Sequence, residues 1–249
     1  MKQVLFFLLF TFLYSGASGQ GGNGFPYGQV TYRELDMKVY EADTSAVALM
    51  LDEFGEGYFD NTDHYNLMFE YHAKIKILKK GGVSYGTFEI PLRKSERYAE
   101  KIVSIKASAF NIENGSIRET KLDPKNVFTE NQSKYHDAKK FAIPNVKEGT
   151  VIEVRYTLQT PFFYKFRTWE FQSEIPKLHS EFWALIPGNY LYNISLRGFL
   201  KLDRNESELV SLCFMKADCS LSKYGMKNIP AFYEEEFMTA KSNFLSSIN

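Results

Sequence analysis

Leu67, Phe69, Tyr71, Ala73, Ile75 and Ile77 are apolar, and Glu70, His72, Lys74 and Lys76 stand between them. Successive side chains of a strand point to opposite faces, so this run predicts a strand with one buried face and one wet face. His72 falls on the wet side, where a solvated histidine is expected. Lys79-Lys80-Gly81-Gly82 then supplies a turn, and 83–90 is expected to return as the second strand of a hairpin. The same period recurs at Ile152, Val154, Tyr156 and Leu158. It recurs again at Val103, Ile105, Ala107 and Ala109, ahead of the hairpin dipeptide Asn114-Gly115. Phe182, Ala184 and Ile186 run into Pro187-Gly188, followed by Tyr190, Tyr192, Ile194 and Leu196, and 209–214 is another strand candidate. Only 46–52 and 234–244 carry enough helical character to suggest short helices. The fold class expected is all-β: an antiparallel β-sandwich, or packed twisted β-sheets, with few short helices.

The first nineteen residues are set apart from that pattern. Lys2 precedes the apolar run 4–14, and Ala17-Ser18-Gly19 offers small residues where a signal peptidase cuts. The run is shorter than the roughly 20 residues a permanent membrane anchor needs. The organisation expected is therefore a signal peptide over 1–19, a glycine-rich linker over 20–24 and a β-rich body over 25–249. Such a chain is exported to the periplasm, the outer surface or the medium, with no stable membrane anchor. With 22 Phe and 16 Tyr the body has ample material for a core. Thirty basic and thirty acidic residues leave no net charge, which argues against a nucleic-acid partner.

Chemistry-bearing motifs are scarce. The four histidines, His64, His72, His136 and His179, fit no zinc-ligand spacing, and no Cys-x-x-Cys, Gly-x-Ser-x-Gly or phosphate-binding glycine loop occurs. No cofactor, metal or catalytic residue is expected. Cys213 and Cys219 are the two cysteines, close enough for a disulfide in an oxidising compartment, though two free thiols that merely pack fit equally well. Glu234-Glu235-Glu236 reads as a solvated acidic face. Phe162, Phe163, Tyr164, Phe166 and Trp169 crowd behind Pro161, and Tyr164, Phe166 and Trp169 are the candidate peptide- or glycan-binding platform. Asn114, Asn131, Asn193 and Asn205 open Asn-x-Ser triplets, for which chance occurrence is the default.

Several words of the sequence resemble a known family. They are Tyr27-Gly28-Gln29-Val30-Thr31, Gly149-Thr150-Val151-Ile152-Glu153-Val154-Arg155-Tyr156, Trp169-Glu170-Phe171-Gln172-Ser173-Glu174-Ile175-Pro176 and Asn228-Ile229-Pro230-Ala231-Phe232-Tyr233. They resemble the domain of unknown function found immediately upstream of transglutaminase-like domains in exported proteins of Bacteroidetes-type bacteria. The resemblance covers about 25–249 and implies a β-rich, non-catalytic accessory or scaffolding module. Its implied partner is a transglutaminase-like (cysteine-protease-like) domain or protein, which carries the Cys–His–Asp triad. Cys213 and Cys219 do not match that nucleophile, so no catalytic residue is carried over. A second reading is an independent secreted module that binds peptide or glycan, and a third is a small hydrolase whose cryptic nucleophile is Cys213 or Cys219.

Overall fold

The computed structural model describes residues 23–61, 65–235 and 238–249; the expected signal peptide 1–19, residues 20–22 of the expected linker, His64 and Glu236 lie outside them. The described chain is all-β and sandwich-like. One α-helix, α1 (Tyr32–Asp36), precedes β1 (Ala48–Phe59), β2 (Leu67–Ile77), β3 (Thr87–Arg93), β4 (Lys101–Glu113) and β5 (Ser116–Lys121). β6 (Phe128–Asn131), β7 (His136–Ala142), β8 (Val151–Thr160), β9 (Trp169–Glu170) and β10 (Lys177–Pro187) follow. The chain closes with β11 (Leu196–Arg197), β12 (Arg204–Phe214), β13 (Ala217–Ile229) and β14 (Ser247–Ile248). Eight strands form the main sheet in the order β12-β13-β10-β1-β2-β8-β4-β5. Two small sheets, β11-β14-β9 and β3-β7-β6, accompany it. The ladders are antiparallel except β1 with β10, which run parallel.

The apolar set of β2 behaves as its period predicts. Phe69, Ala73, Ile75 and Ile77 enter the principal core together with Ile152, Val154 and Leu158 of β8. Ile90, Leu92 and Phe141 of one small sheet and Trp169 and Ile248 of the other join the same core. This is one face of the main sheet covered by both small sheets. Asn114 and Gly115 both adopt positive φ, 51° and 76°, between β4 and β5, as a two-residue hairpin turn requires.

The opposite face of β2 is not wet. His72, Lys74 and Lys76 are buried, because residues 23–37 lie across them. Phe25 stacks on the His72 ring at 3.8 Å, and His72 Nε2 lies 2.7 Å from Glu153 Oε1. Glu153 Oε2 accepts the Gly28 N–H at 2.8 Å, and Tyr27 Oη donates to Ser108 Oγ. Lys74 Nζ donates to Gln29 O, and Lys76 Nζ to Leu35 O and Gly149 O at 2.5 and 2.6 Å. Period two correctly separates the faces, but it does not say which polar face a preceding segment will cover. The solvated His72 of the sequence reading is replaced by a buried histidine with a carboxylate partner.

Four other expectations are corrected. Residues 48–52 of the expected helix 46–52 belong to β1, whose near-continuous burial reflects covered faces on both sides. A short apolar run of this kind is ambiguous by periodicity alone. β2 does not form a hairpin with 83–90, because β1 and β8 already occupy both of its edges. The chain instead makes a 3-10 helix, Lys80–Gly86, and enters β3 of a small sheet. A Cβ on Gly82 would stand 2.3 Å from Val47 O, so this turn sits directly on backbone. Residues 190–195 form no strand. Both edges of β10 are taken by β1 and β13, and the Tyr190 and Tyr192 rings pack on Phe59 and Phe166 with centroids 4.5 and 4.9 Å away. Of 234–244, only Lys241–Asn243 is helical among the described residues, as one 3-10 turn.

Candidate functional site

The segment from the end of β8 to β9 carries the aromatic cluster over β1 and β10. It is seated by two glycines of β1. A Cβ on Gly55 would stand 2.3 Å from Trp169 Cζ3, and one on Gly57 would stand 2.6 Å from Phe166 Cδ1. Glycine at these positions lets the rings rest on the strand backbone, the close approach that an isolated strand glycine marks. Trp169 is 3% exposed and stacks on Phe182 at 5.5 Å. Phe166 is half-buried, while Tyr164 is 71% exposed.

Beneath Trp169 lies a closed polar network. Its indole Nε1–H donates to Ser180 Oγ at 3.1 Å, and Ser180 donates to Glu53 Oε2 at 2.7 Å. Lys177 Nζ donates to the same oxygen at 2.6 Å and to Glu170 O at 3.0 Å, and Tyr71 Oη donates to Glu53 Oε1 at 3.0 Å. The parallel β1–β10 register sets Glu53 opposite Ser180, which is how residues far apart in sequence meet. Burial, then the Glu53 charge, holds the Tyr71 phenol well above its ordinary value. Burial pushes Tyr156 up to about 12. Glu53 accepts from three donors, so this network fixes the geometry beneath Trp169.

Arg167 stands between two cavities. Its Nη2 donates to Pro91 O and Glu100 Oε2, each at 2.7 Å, and its Nε is buried without a partner. Glu100 also receives Arg93 through Nε and Nη2 at 2.9 and 2.7 Å. Burial alone would raise the Glu100 carboxyl, but Arg167, followed by Arg93, holds it below its ordinary value. One cavity, about 370 Å³, is lined by Tyr71, Tyr156, Trp169, Glu170 and Lys177. The other, about 390 Å³, is more apolar and is lined by Tyr164, Phe166, Leu191, Tyr192 and Tyr224. The three sequence candidates therefore divide: Tyr164 and Phe166 face one cavity, and Trp169 faces the other. Arg167, Glu53, Lys177 and Ser180 were not singled out by sequence. The available signal was the Gly55-Glu56-Gly57 spacing inside a strand.

Cys213 and Cys219 are joined by a disulfide at the β12–β13 turn, with Cα atoms 5.9 Å apart. Neither thiol is available as a nucleophile while that bond stands. His179 Nδ1 lies 3.2 Å from Asp52 Oδ1, and its Nε2 lies 3.4 Å from Glu181 Oε2. These hydrogen bonds, Asp52 first and then Glu181, raise His179 to about 9. Glu181 also binds Arg204. His136 is exposed on β7. Among the described residues no group of three or more His, Cys, Asp or Glu is placed to hold a metal ion, and no helix is long and apolar enough to cross a membrane. Glu234 and Glu235 are exposed.

No protein-family model and no curated protein matches the sequence. Solved structures do. A "putative protease" from Parabacteroides distasonis superposes with a TM-score of 0.60 at 12% identity, over 81% of this chain and 39% of that one. An M1 zinc metallopeptidase from Deinococcus radiodurans aligns over 86% of this chain and 44% of that one, at 7% identity and a TM-score of 0.31. The first likeness is one of fold, and the chain spans about two fifths of the protein it matches.

Proposed function

We propose that this chain is an exported, non-catalytic accessory β-domain that scaffolds, or presents substrate to, a transglutaminase-like catalytic domain or protein. The observation that carries the reading is the fold likeness: most of this chain corresponds to a minor part of a longer, protease-named protein. The family words in the sequence point the same way. The site chemistry is in keeping with it, since Glu53 is engaged by three donors and both cysteines are joined to each other. A disulfide suits an oxidising, extracytoplasmic compartment. The test is turnover by the purified mature chain of labelled casein, and of casein with a fluorescent amine as acyl acceptor. The expected result is no turnover above buffer in either assay. Turnover that tracks the chain through purification would overturn the reading.

A second reading, a secreted peptide- or glycan-binding module, draws on the exposed Tyr164 at the more apolar cavity. Tyr164→Ala would then abolish ligand retention without moving the unfolding midpoint. Trp169 is unsuitable for that test, because its buried ring supports the fold.

A further inference from the structure

A cavity of about 750 Å³, about twice either cavity beside Arg167, opens where β2, β8 and β4 end. Three aromatic rings border it: Tyr65, Tyr98 and Phe163, which are 39%, 61% and 49% exposed. Arg97, Lys101 and Gln159 line it as well, and Glu96, whose carboxylate pairs with Lys134 at 3.2 Å, stands on the same wall. Arg97, Lys101 and Gln159 make no side-chain hydrogen bond or ion pair among the described residues. That sets them apart from the engaged groups around Glu53 and Glu100. Both walls are pinned. In the turn bearing Tyr98, Ser95 N–H donates to Tyr98 O, and Tyr98 N–H donates to Ser95 Oγ. On the other side Phe163 O accepts the Tyr192 hydroxyl, and Phe162 N–H donates to Thr160 Oγ1.

The backbone here has no edge to offer. Gln159 of β8 pairs with Met68 of β2 on one side and Lys101 of β4 on the other. A peptide adding as a strand needs an unpaired edge, so a ligand in this cleft must be read by side chains. Exposed ring faces suit the C–H faces of pyranose rings, and Gln and Arg supply planar, forked donors for paired hydroxyls. Arg97 and Lys101 add two unpaired cations, and the guanidinium fork matches a carboxylate. We propose that this cleft binds an oligosaccharide carrying carboxylate groups, a uronic-acid-containing glycan. The inference stands apart from the accessory-domain reading, which concerns catalysis and partnership.

The test is native electrophoresis of the full mature chain in gels containing polygalacturonate, hyaluronate or poly-L-glutamate. Retardation is expected in at least one of the two uronate polymers and not in poly-L-glutamate. Tyr98→Ala and Arg97→Ala, both at exposed positions, should each reduce it several-fold with circular dichroism unchanged, while Tyr164→Ala leaves it intact. Three outcomes would each overturn the proposal: no retardation in either uronate polymer, equal retardation in poly-L-glutamate, or retardation that survives both cleft substitutions.

Discussion

The contact between Gly55 and Trp169 supports a prediction with a change of sign. A Cβ on residue 55 would lie 2.3, 2.7 and 2.8 Å from Trp169 Cζ3, Cε3 and Cη2. Carbon atoms prefer about 3.5–4.0 Å, so the ring must retreat by roughly 1 Å. The retreat disturbs its stacking on Phe182 and its 3.1 Å hydrogen bond to Ser180. Overpacking of this kind costs about 1–3 kcal/mol, and a lost hydrogen bond about 1 kcal/mol more. Gly55→Ala should therefore destabilise by about 2–4 kcal/mol. With an m-value near the upper end for small proteins, about 3 kcal/mol/M, the urea midpoint falls by about 1 M. In a Trp169→Ala background the obstruction is gone. There Gly55→Ala should be neutral or stabilise by up to about 1 kcal/mol, because alanine loses less backbone freedom than glycine. Four urea curves followed by circular dichroism close the cycle. Equal penalties in both backgrounds would refute the claim that β1 glycines seat the aromatic segment.

Three further outcomes follow from the charge network and the disulfide. His179 titrates in the folded state near 9, against about 6.5 unfolded, so its contribution is full below about pH 6.5 and is lost as pH rises through 9. The advantage of the native chain over His179→Gln should shrink across that window, and an NMR midpoint at 6.5 would contradict the double carboxylate contact. Burial pushes Lys76 down to about 8 from 10.5. Between those values the unfolded chain binds the extra proton, so stability measured against Lys76→Met should rise with pH, and a flat difference would exclude the burial. Replacing Cys213 and Cys219 by serine opens a loop of sequence separation 6. Chain entropy predicts a loss of about 2 kcal/mol, checked by denaturant unfolding without reductant.

Strands with one apolar face, such as β2 and β8, and the Asn114-Gly115 hairpin were legible because local pattern decides them. Pairing was less so. Nothing local in 83–90 or 190–196 reveals that the neighbouring edges are filled by β1, β8 and β13, partners distant in sequence. The burial of His72, Lys74 and Lys76 depends on the 23–37 segment lying over them, a tertiary event that composition cannot foresee. The aromatic cluster behind Pro161 was visible, but its division between a buried Trp169 and an exposed Tyr164 was not. That division follows from Gly55 and Gly57, which admit only the rings that face them. Arg167 drew no notice because a lone arginine carries no motif. Its position between two cavities is fixed by Glu100 and Pro91, at sequence separations of 67 and 76.

The most direct test of the accessory-domain account is to recover the native product with an antibody against 25–249 from fractionated source cells, then size it and sequence it by mass spectrometry. The account predicts an extracytoplasmic species in which a transglutaminase-like domain is present, either in the same polypeptide or in a stable complex. Recovery of this chain alone, with no such domain accompanying it, would contradict the account.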